Sequence, residues 1–570
     1  MTMSRQFPIS SNGRALASIY ISRESNRVVR FAAAELARYL GQMGSAPFEL
    51  KNTGAASAGP GIFLECDAPG EGRGVCPDPF DGFKRRREGE RLHLRGHNSR
   101  SVLYGVYDML EELGCVFLEP GLEEVPKRPE LTLASPDKVQ VAAFPQRNLF
   151  RSTQACSHKE PFTFLDPELT IPQVDWMAKR RFNHFAFYVD YYRLDLWERH
   201  KGPILDALLD RGFTLEQSYH SLHYFCPPDE NHDFGGYGPE TYMRNHPDWY
   251  IPAMQCGVGG AWQTRVELPQ VRRLVTERYL DYFRRNPELS VLAVWPDDLR
   301  ISTPGQAATP ADGYLVFWNE VADALAAEFP DKVLSICAYV ELVRPPRQTR
   351  PRSNEHCWFC PMERNFQYPI THPRNSDWLE PLSKWVEVCA PWRVGVLEYY
   401  GWAVPFIPFR EIMQADLRAY RELKVAGTYA WSGFTRDILG EEARWSLDFF
   451  ALSQLLWNPD ADLAPIEERW ARGVFGSAAE DILTFHDLLK TAHHKEAASG
   501  LAGYMKGSGR NEWISLGLLR KLQKTLDGAR KKASPEASAR MDQLEKECAY
   551  GCTTQVCRTS EGRPAYMEVS

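Results

Sequence analysis

The chain has no unbroken apolar run of about 18 residues, the length a membrane-spanning helix needs. It has no Gly-x-Gly-x-x-Gly after a first strand and no Gly-x-x-x-x-Gly-Lys-Ser/Thr, so the two common phosphate cradles are missing. Gly-x-Ser-x-Gly is also absent, which disfavours an α/β-hydrolase. Lys506-Gly-Ser-Gly-Arg510 lies between helical segments and reads as a loop. No basic block offsets the net charge of −7, so nucleic acid is not an expected partner. The 13 cysteines are odd in number and scattered, unlike a disulfide framework. Cys357-x-x-Cys360 has no second such pair to complete a zinc site, and no metal or cofactor is expected. The first residues, Met1-Thr-Met-Ser-Arg-Gln-Phe-Pro8, lack the apolar stretch of a signal peptide, so the chain as written is expected to be soluble and cytoplasmic.

What is present is size and aromatic content. A chain of 570 residues exceeds one compact domain and suits two or three. Hydrophobic residues make up 44% and charged residues 25%, the balance of a globular protein with a large core. The 16 Trp and 24 Tyr suit stacking on sugar faces as well as packing.

Residues 1–136 read as a small α/β domain and linker. Strand-like runs fall at 15–21, 61–65, 91–95 and 115–118, and helical spacing at 28–43 and 101–113. A mixed sheet with two helices on one face fits that order, and the Pro- and Glu-rich tract 119–136 reads as the linker. Over 137–440 strands and helices alternate. Eight strand candidates lie at 147–151, 182–190, 213–218, 290–295, 333–340, 356–360, 394–399 and 426–431. Helical segments between them span 171–180, 196–211, 269–286, 311–329, 377–389 and 409–423. That alternation predicts a (β/α)₈ TIM barrel, with 227–262 as an insertion after the third strand. Residues 441–570 read as a C-terminal helical region, with helices at 441–457, 478–494 and 511–526.

Two strands end in carboxylates. Val291-Leu-Ala-Val-Trp-Pro-Asp-Asp298 passes from a buried run into a proline and two acids, and Arg393-Val-Gly-Val-Leu-Glu-Tyr-Tyr400 ends in Glu398. In parallel barrels the chemistry sits where strands end, and cleaving a glycosidic bond needs two carboxyl groups. Asp298, Asp297 and Glu398 are therefore the catalytic candidates. A solvated turn is the plain reading of the aspartates, and a structural ion pair that of Glu398. Other strand ends supply candidate substrate-binding residues: Arg151, Tyr188, Asp190, His220, His223, Trp295, Tyr339, Glu341, Glu363, Tyr399, Tyr400 and Trp431. Glu341 competes for an acid role, and His220 with His223 lacks a third metal ligand.

The run Asn98 to Leu118 and the helix Phe31-Ala-Ala-Ala-Glu-Leu-Ala-Arg-Tyr-Leu40 resemble the small domain that precedes the barrel in hexosaminidase and α-glucuronidase families. His220-Ser-Leu-His-Tyr-Phe225, Asn245-His-Pro-Asp-Trp-Tyr250, Trp295-Pro-Asp-Asp298 and Leu455-Leu-Trp-Asn-Pro-Asp460 resemble a bacterial group first catalogued as a domain of unknown function. One branch of that group consists of endo-β-N-acetylglucosaminidases acting on complex N-glycans. The likeness covers roughly residues 15 to 490. It implies a glycoside hydrolase acting on N-acetylhexosamine-containing glycans, with carbohydrate as the partner. It also implies two options for the acids. In related hexosaminidases two neighbouring acids on the fourth strand polarise the substrate's acetamido group and protonate the leaving oxygen, which Asp297-Asp298 matches. The other option pairs Asp298 with Glu398 across the mouth, and a separation of about 5 Å would favour retention. The alternatives are an α-uronidase using Arg151, Arg300 or Arg364, and a glycan-binding protein without catalysis. Oligomeric state stays open, a homodimer included.

Overall fold

A computed structural model describes residues 6–53, 59–67, 80–150, 166–187, 194–228, 242–254, 262–400, 409–431, 447–499, 515–542 and 544–545. Three layers of organisation follow in chain order.

The N-terminal unit is built on a six-stranded mixed sheet in the spatial order Lys138–Val141, Gly82–Glu88, Arg91–Gly96, Gly61–Cys66, Ser18–Ser22 and Leu50–Thr53. Helices Arg27–Gly44 and Ser99–Glu112 pack against it and each other. Each starts at an asparagine whose side chain accepts from a first-turn amide, Asn26 from Val29 and Asn98 from Ser101. The single strand expected over 15–21 is broken. Arg14–Ala15 turns back on Phe7–Ser11, and only Ser18–Ser22 joins the main sheet. The tract 119–136 carries strand Leu122–Glu124, paired with Val116–Glu119, and strand Leu131–Leu133, paired with Phe7–Ser11.

The centre is a closed barrel of eight parallel strands: Gln146–Phe150, His184–Phe187, Thr214–Gln217, Val291–Ala293, Val333–Ala338, Glu355–Phe359, Val394–Glu398 and Gly427–Trp431. All eight coincide with strand candidates in the sequence. They are legible because a parallel strand is buried on both faces and reads as a short apolar run. Helices Pro167–Lys179, Pro269–Arg285, Pro310–Glu328, Ser376–Cys389 and Arg410–Leu423 surround them. The helix expected over 196–211 is two, Asp195–His200 and Gly202–Asp210. Pro203 sits in the first turn of the second, where its missing N–H costs nothing, but it could not continue the first. Of the insertion 227–262, the described part forms a two-stranded ribbon, Tyr250–Pro252 with Trp262–Thr264.

After the barrel the described residues form helices Leu447–Trp457, Leu463–Phe475, Ala479–Ser499 and Leu516–Arg530, with further helical residues over 535–542. Leu447–Trp457 docks on the base of the barrel, where the Trp457 carbonyl accepts from the Ala143 amide at 2.9 Å. Among the described residues no helix is long and apolar enough to cross a membrane.

Several ion pairs tie the N-terminal unit to the barrel, Glu111 with Arg180 and Arg181 among them, and the most deeply buried centres on one carboxylate. Asp81 is fully buried and accepts from Asn98 (2.7 Å), Arg100 (2.9 Å), Arg147 (2.6 Å) and Asn183 (2.8 Å). Burial pushes its carboxyl up, but Arg100 and Arg147 outweigh that and hold it well below the usual carboxylate range. Arg147 and Asn183 lie at the starts of the first two barrel strands, so this hub fixes the N-terminal unit under the barrel.

Candidate active site at the mouth of the barrel

Side chains of a strand alternate, so every second residue points to the barrel axis. The seventh strand reveals which. A Cβ on Gly395 would meet the Trp358 ring at 2.4 Å, and Trp358 belongs to a polar layer on the axis. There Glu216 accepts from Trp358 Nε1 (2.9 Å), Ser335 (2.8 Å) and Ser218 (2.9 Å), and lies 2.8 Å from His184 Nε2. Burial pushes the Glu216 carboxyl up, yet the hydrogen bond and charge of His184 hold it below the usual range. His356 on the same axis is pushed down to about 3 by burial and stays neutral. Above this layer the rings of Tyr429 and Trp358 approach to 5.0 Å, Tyr219 and Tyr429 to 5.9 Å, and Tyr219 and Trp295 to 5.0 Å. These buried aromatics connect the polar layer to the strand ends, where Tyr219 and Trp295 stand beside the aspartates.

The aspartate pair stands at this mouth. Beyond Val291–Ala293 the chain is fastened atom by atom. The Val294 carbonyl accepts from Trp318 Nε1 (3.0 Å), the Trp295 carbonyl from the Leu222 amide (3.0 Å), and the Pro296 carbonyl from His220 Nδ1 (2.5 Å). That last bond fixes the His220 tautomer. Asp297 and Asp298 are only 2% and 6% exposed. Asp297 Oδ2 lies 2.9 Å from His223 Nδ1, and Asp298 Oδ1 accepts from the Tyr339 hydroxyl at 2.9 Å. Neighbours in sequence thus turn to different partners, one toward the third strand's loop and the other toward the end of the fifth. The Tyr339 hydroxyl also lies 3.5 Å from Met362 Sδ.

Two residues here have left-handed backbone. Tyr219 has φ 84° and Val340 has φ 52°. Such φ values cost of order 1–3 kcal/mol for residues other than glycine and gather at functional sites. Each lies two residues past the end of a barrel strand and flanks the aspartates' partners, His220 and His223 on one side and Tyr339 on the other. Tyr219 is a residue that sequence reasoning missed. The signal available was an aromatic directly after Gln217-Ser218.

The remaining candidates divide. Trp295, His220, His223 and Tyr339 gather around the pair. Glu341 does not face it as an acid. Its carboxylate accepts from the Ile301 amide (2.8 Å) and from Arg300 (3.3 Å), so it clamps the loop that carries the aspartates. Glu363 stands on the rim, 3.9 Å from Arg300. Tyr399 shares the axis-facing parity of Gly395 and Leu397, and its ring lies 6.2 Å from Phe366. Arg151, Tyr188 and Asp190 lie outside the described residues, and of Trp431 only the backbone, ending the eighth strand, is described.

Glu398 and Tyr400 require a correction. Glu398 is three residues from Gly395 and so faces the helix layer rather than the axis. It is 0% exposed and lies 3.1 Å from Arg364, with Tyr420 donating a short hydrogen bond to it. Arg364 also bridges to Asp416 (2.6 Å), which accepts from Tyr400 (2.7 Å). Asp416 and Tyr420 belong to helix Arg410–Leu423. Burial pushes the Glu398 carboxyl up to about 7, with one guanidinium serving two carboxylates. Glu398 therefore joins strand to helix and does not oppose Asp298 across the mouth. The parity of the strand decides this, and the strand's acidic end concealed it. Arg364 is occupied by the same cluster.

Among the described residues no group of three or more His, Cys, Asp or Glu could hold a metal ion. Cys357 and Cys360 are buried free thiols. What the mouth offers is two adjacent, separately oriented carboxyl groups within an aromatic wall. Such a pair can divide labour, one giving a proton and the other holding a dipole.

No curated protein matches the chain. A family model described as Domain of unknown function (DUF4838) matches residues 117–487, more than half of it. Solved structures resemble it over nearly its whole length at low identity. A family GH115 4-O-methyl-alpha-glucuronidase with specificity for decorated arabinogalactans shares 14% identity at a TM-score of 0.59, covering 96% of this chain and 72% of that one. A GH138 enzyme targeting pectin rhamnogalacturonan II shares 11% at 0.59, covering 94% and 68%. The chitobiase of Flavobacterium johnsoniae shares 12% at 0.52, covering 98% and 92%. At these identities the likeness establishes the fold, a TIM barrel of the kind glycoside hydrolases use, with a small α/β unit before it.

Proposed function

The chain belongs to the DUF4838 family, and from the geometry of its barrel mouth we propose that it is a glycoside hydrolase acting on N-acetylhexosamine-containing glycans. The observation that carries this reading is the pair Asp297-Asp298, buried at the end of the fourth strand with each carboxyl held by a different side chain. Asp298 is the general acid that protonates the leaving glycosidic oxygen. Asp297, beside His223, receives the N–H of the substrate's 2-acetamido group and orients its oxygen toward the anomeric carbon. The acetamido oxygen attacks the anomeric carbon as the glycosidic bond breaks, and water, giving a proton to the Asp298 carboxylate, then opens the cyclic intermediate, so two inversions retain configuration. Tyr339 positions the Asp298 carboxyl, and Tyr219 with Trp295 offers the sugar an apolar wall.

The loss of Glu398 from the mouth favours this arrangement over a pair across the barrel. The uronidase reading is left with Arg300 and with Arg151, which lies outside the described residues, since Arg364 is bound to Asp416 and Glu398. Arg300 is already shared by Glu341 and Glu363, which leaves it poorly placed for a second carboxylate. Digestion of a panel of N-acetylhexosamine glycans and glucuronides with product analysis tests the proposal. Turnover of glucuronides alone would favour the uronidase, and binding without any turnover would favour a non-catalytic glycan-binding role.

A further inference from the structure

A second cleft, of about 250 Å³, lies where the barrel meets the C-terminal helices. Three elements line it. The loop after the sixth strand gives Gln367, Tyr368 and Pro369, the first turn of Arg410–Leu423 gives Glu411 and Ile412, and the helix Ala479–Ser499 gives His493 and His494. We propose that this cleft is an accessory site for one neutral pyranose unit of a glycan. The choice of ligand rests on the glycan reading of the barrel mouth.

The lining has the two parts a sugar needs. Pro369 and Ile412 add apolar surface to the lining, and Gln367, Glu411 and His493 add an amide, a carboxylate and an imidazole. The Gln367 side-chain oxygen is buried and, among the described residues, accepts no hydrogen bond, so it asks for a donor from a ligand. Charge balance argues for a neutral guest. The Glu411 carboxylate is met by His494 Nε2 at 2.9 Å and Lys490 Nζ at 3.4 Å. Burial pushes His493 down to about 4, so it presents a neutral ring. The volume falls below the roughly 300–1,000 Å³ of drug-sized sites, which leaves room for one ring.

The lining is also rigid. Asn375 Nδ2 donates to the carbonyls of Asn365 (3.0 Å), Tyr368 (3.2 Å) and Pro369 (3.0 Å), and the Ile370 amide donates to Asp416 (2.5 Å). Tyr368 stacks on His372 at 4.1 Å. A lining already ordered costs little entropy on binding. The same loop begins at Met362, in contact with Tyr339 beside Asp298, so the cleft and the mouth share one connection.

The test uses the full chain carrying Asp298→Asn, so that no probe is consumed. Triacetylchitotriose and mannotriose are titrated by calorimetry and saturation-transfer NMR. Expected is a binding event that both Ile412→Trp, which fills the cleft, and Gln367→Ala weaken at least tenfold. Circular dichroism checks folding, and if the tryptophan variant unfolds the alanine variant decides. No binding of either probe by the parent, or binding that neither substitution weakens, overturns the site. Binding that behaves as expected in a protein that turns over no glycan would refute the hydrolase reading alone.

Discussion

At the residue scale, two adjacent aspartates divide by what they touch. If Asp298 gives the proton, Asp298→Asn should lower kcat by about 10²–10⁴, the usual contribution of a general acid, with the fold intact by circular dichroism. Tyr339→Phe removes one hydrogen bond to that carboxyl. A hydrogen bond contributes about 0.5–1.5 kcal/mol, so kcat/KM should fall up to roughly tenfold if the bond matters most as the proton leaves, with the fold intact by circular dichroism. Glu398 is expected to act on stability instead. Its carboxyl rises from the ordinary 4.5 to about 7 on folding. The folded state thus holds the extra proton across that window, and this group's contribution falls as pH rises from about 4.5 to 7. Glu398→Gln should flatten that part of the profile in denaturant melts at several pH values. An unchanged slope would remove Glu398 from the account. The aspartates could be read in the sequence because a buried run stopped at them. The role of Glu398 could not, because one position along a strand decides which face a side chain takes.

At the element scale, the barrel strands were legible and their supports were not. Apolar runs mark strands buried on two faces, and all eight strands lie where the sequence puts them. The exceptions carry information. His184, Glu216 and His356 put polar groups inside strand windows, and the barrel gathers them into the layer under the mouth, while Asn183 joins the Asp81 hub. Asp81 gave no signal, since it precedes a strand in a polar stretch, yet it joins two arginines and two asparagines. Replacing it by Asn leaves Arg100 and Arg147 without their anion. Breaking such a buried pair costs about 3–5 kcal/mol, which urea titration of Asp81→Asn should show. Its folded carboxyl lies below its unfolded value, so its contribution is present at neutral pH and lost as pH falls below about 4.

At the scale of the whole molecule, three sequence regions form one network of buried contacts. Asp81 fastens the N-terminal unit to the barrel. Arg410, on a barrel helix, pairs with Asp448 on one C-terminal helix and with Glu467 on the next. The expected outcome is a single unfolding transition, coincident by tryptophan fluorescence and far-ultraviolet circular dichroism, although a chain of this length would often show several. Two separated transitions would contradict that coupling. The change of periodicity suggests a boundary near 136, yet strand Lys138–Val141 beyond it pairs into the N-terminal sheet. The contacts that couple the regions could not be read, because they join residues far apart in sequence.

The central claim is that Asp297-Asp298 at the fourth strand's end forms the catalytic pair of a glycosidase. Product analysis of an N-acetylhexosamine glycan panel, digested in parallel by the unaltered chain, Asp298→Asn and Glu398→Gln, tests it most directly. The account expects cleavage by the unaltered chain, retained in large part by Glu398→Gln and reduced at least a hundredfold in Asp298→Asn. Near-full cleavage by Asp298→Asn would contradict it.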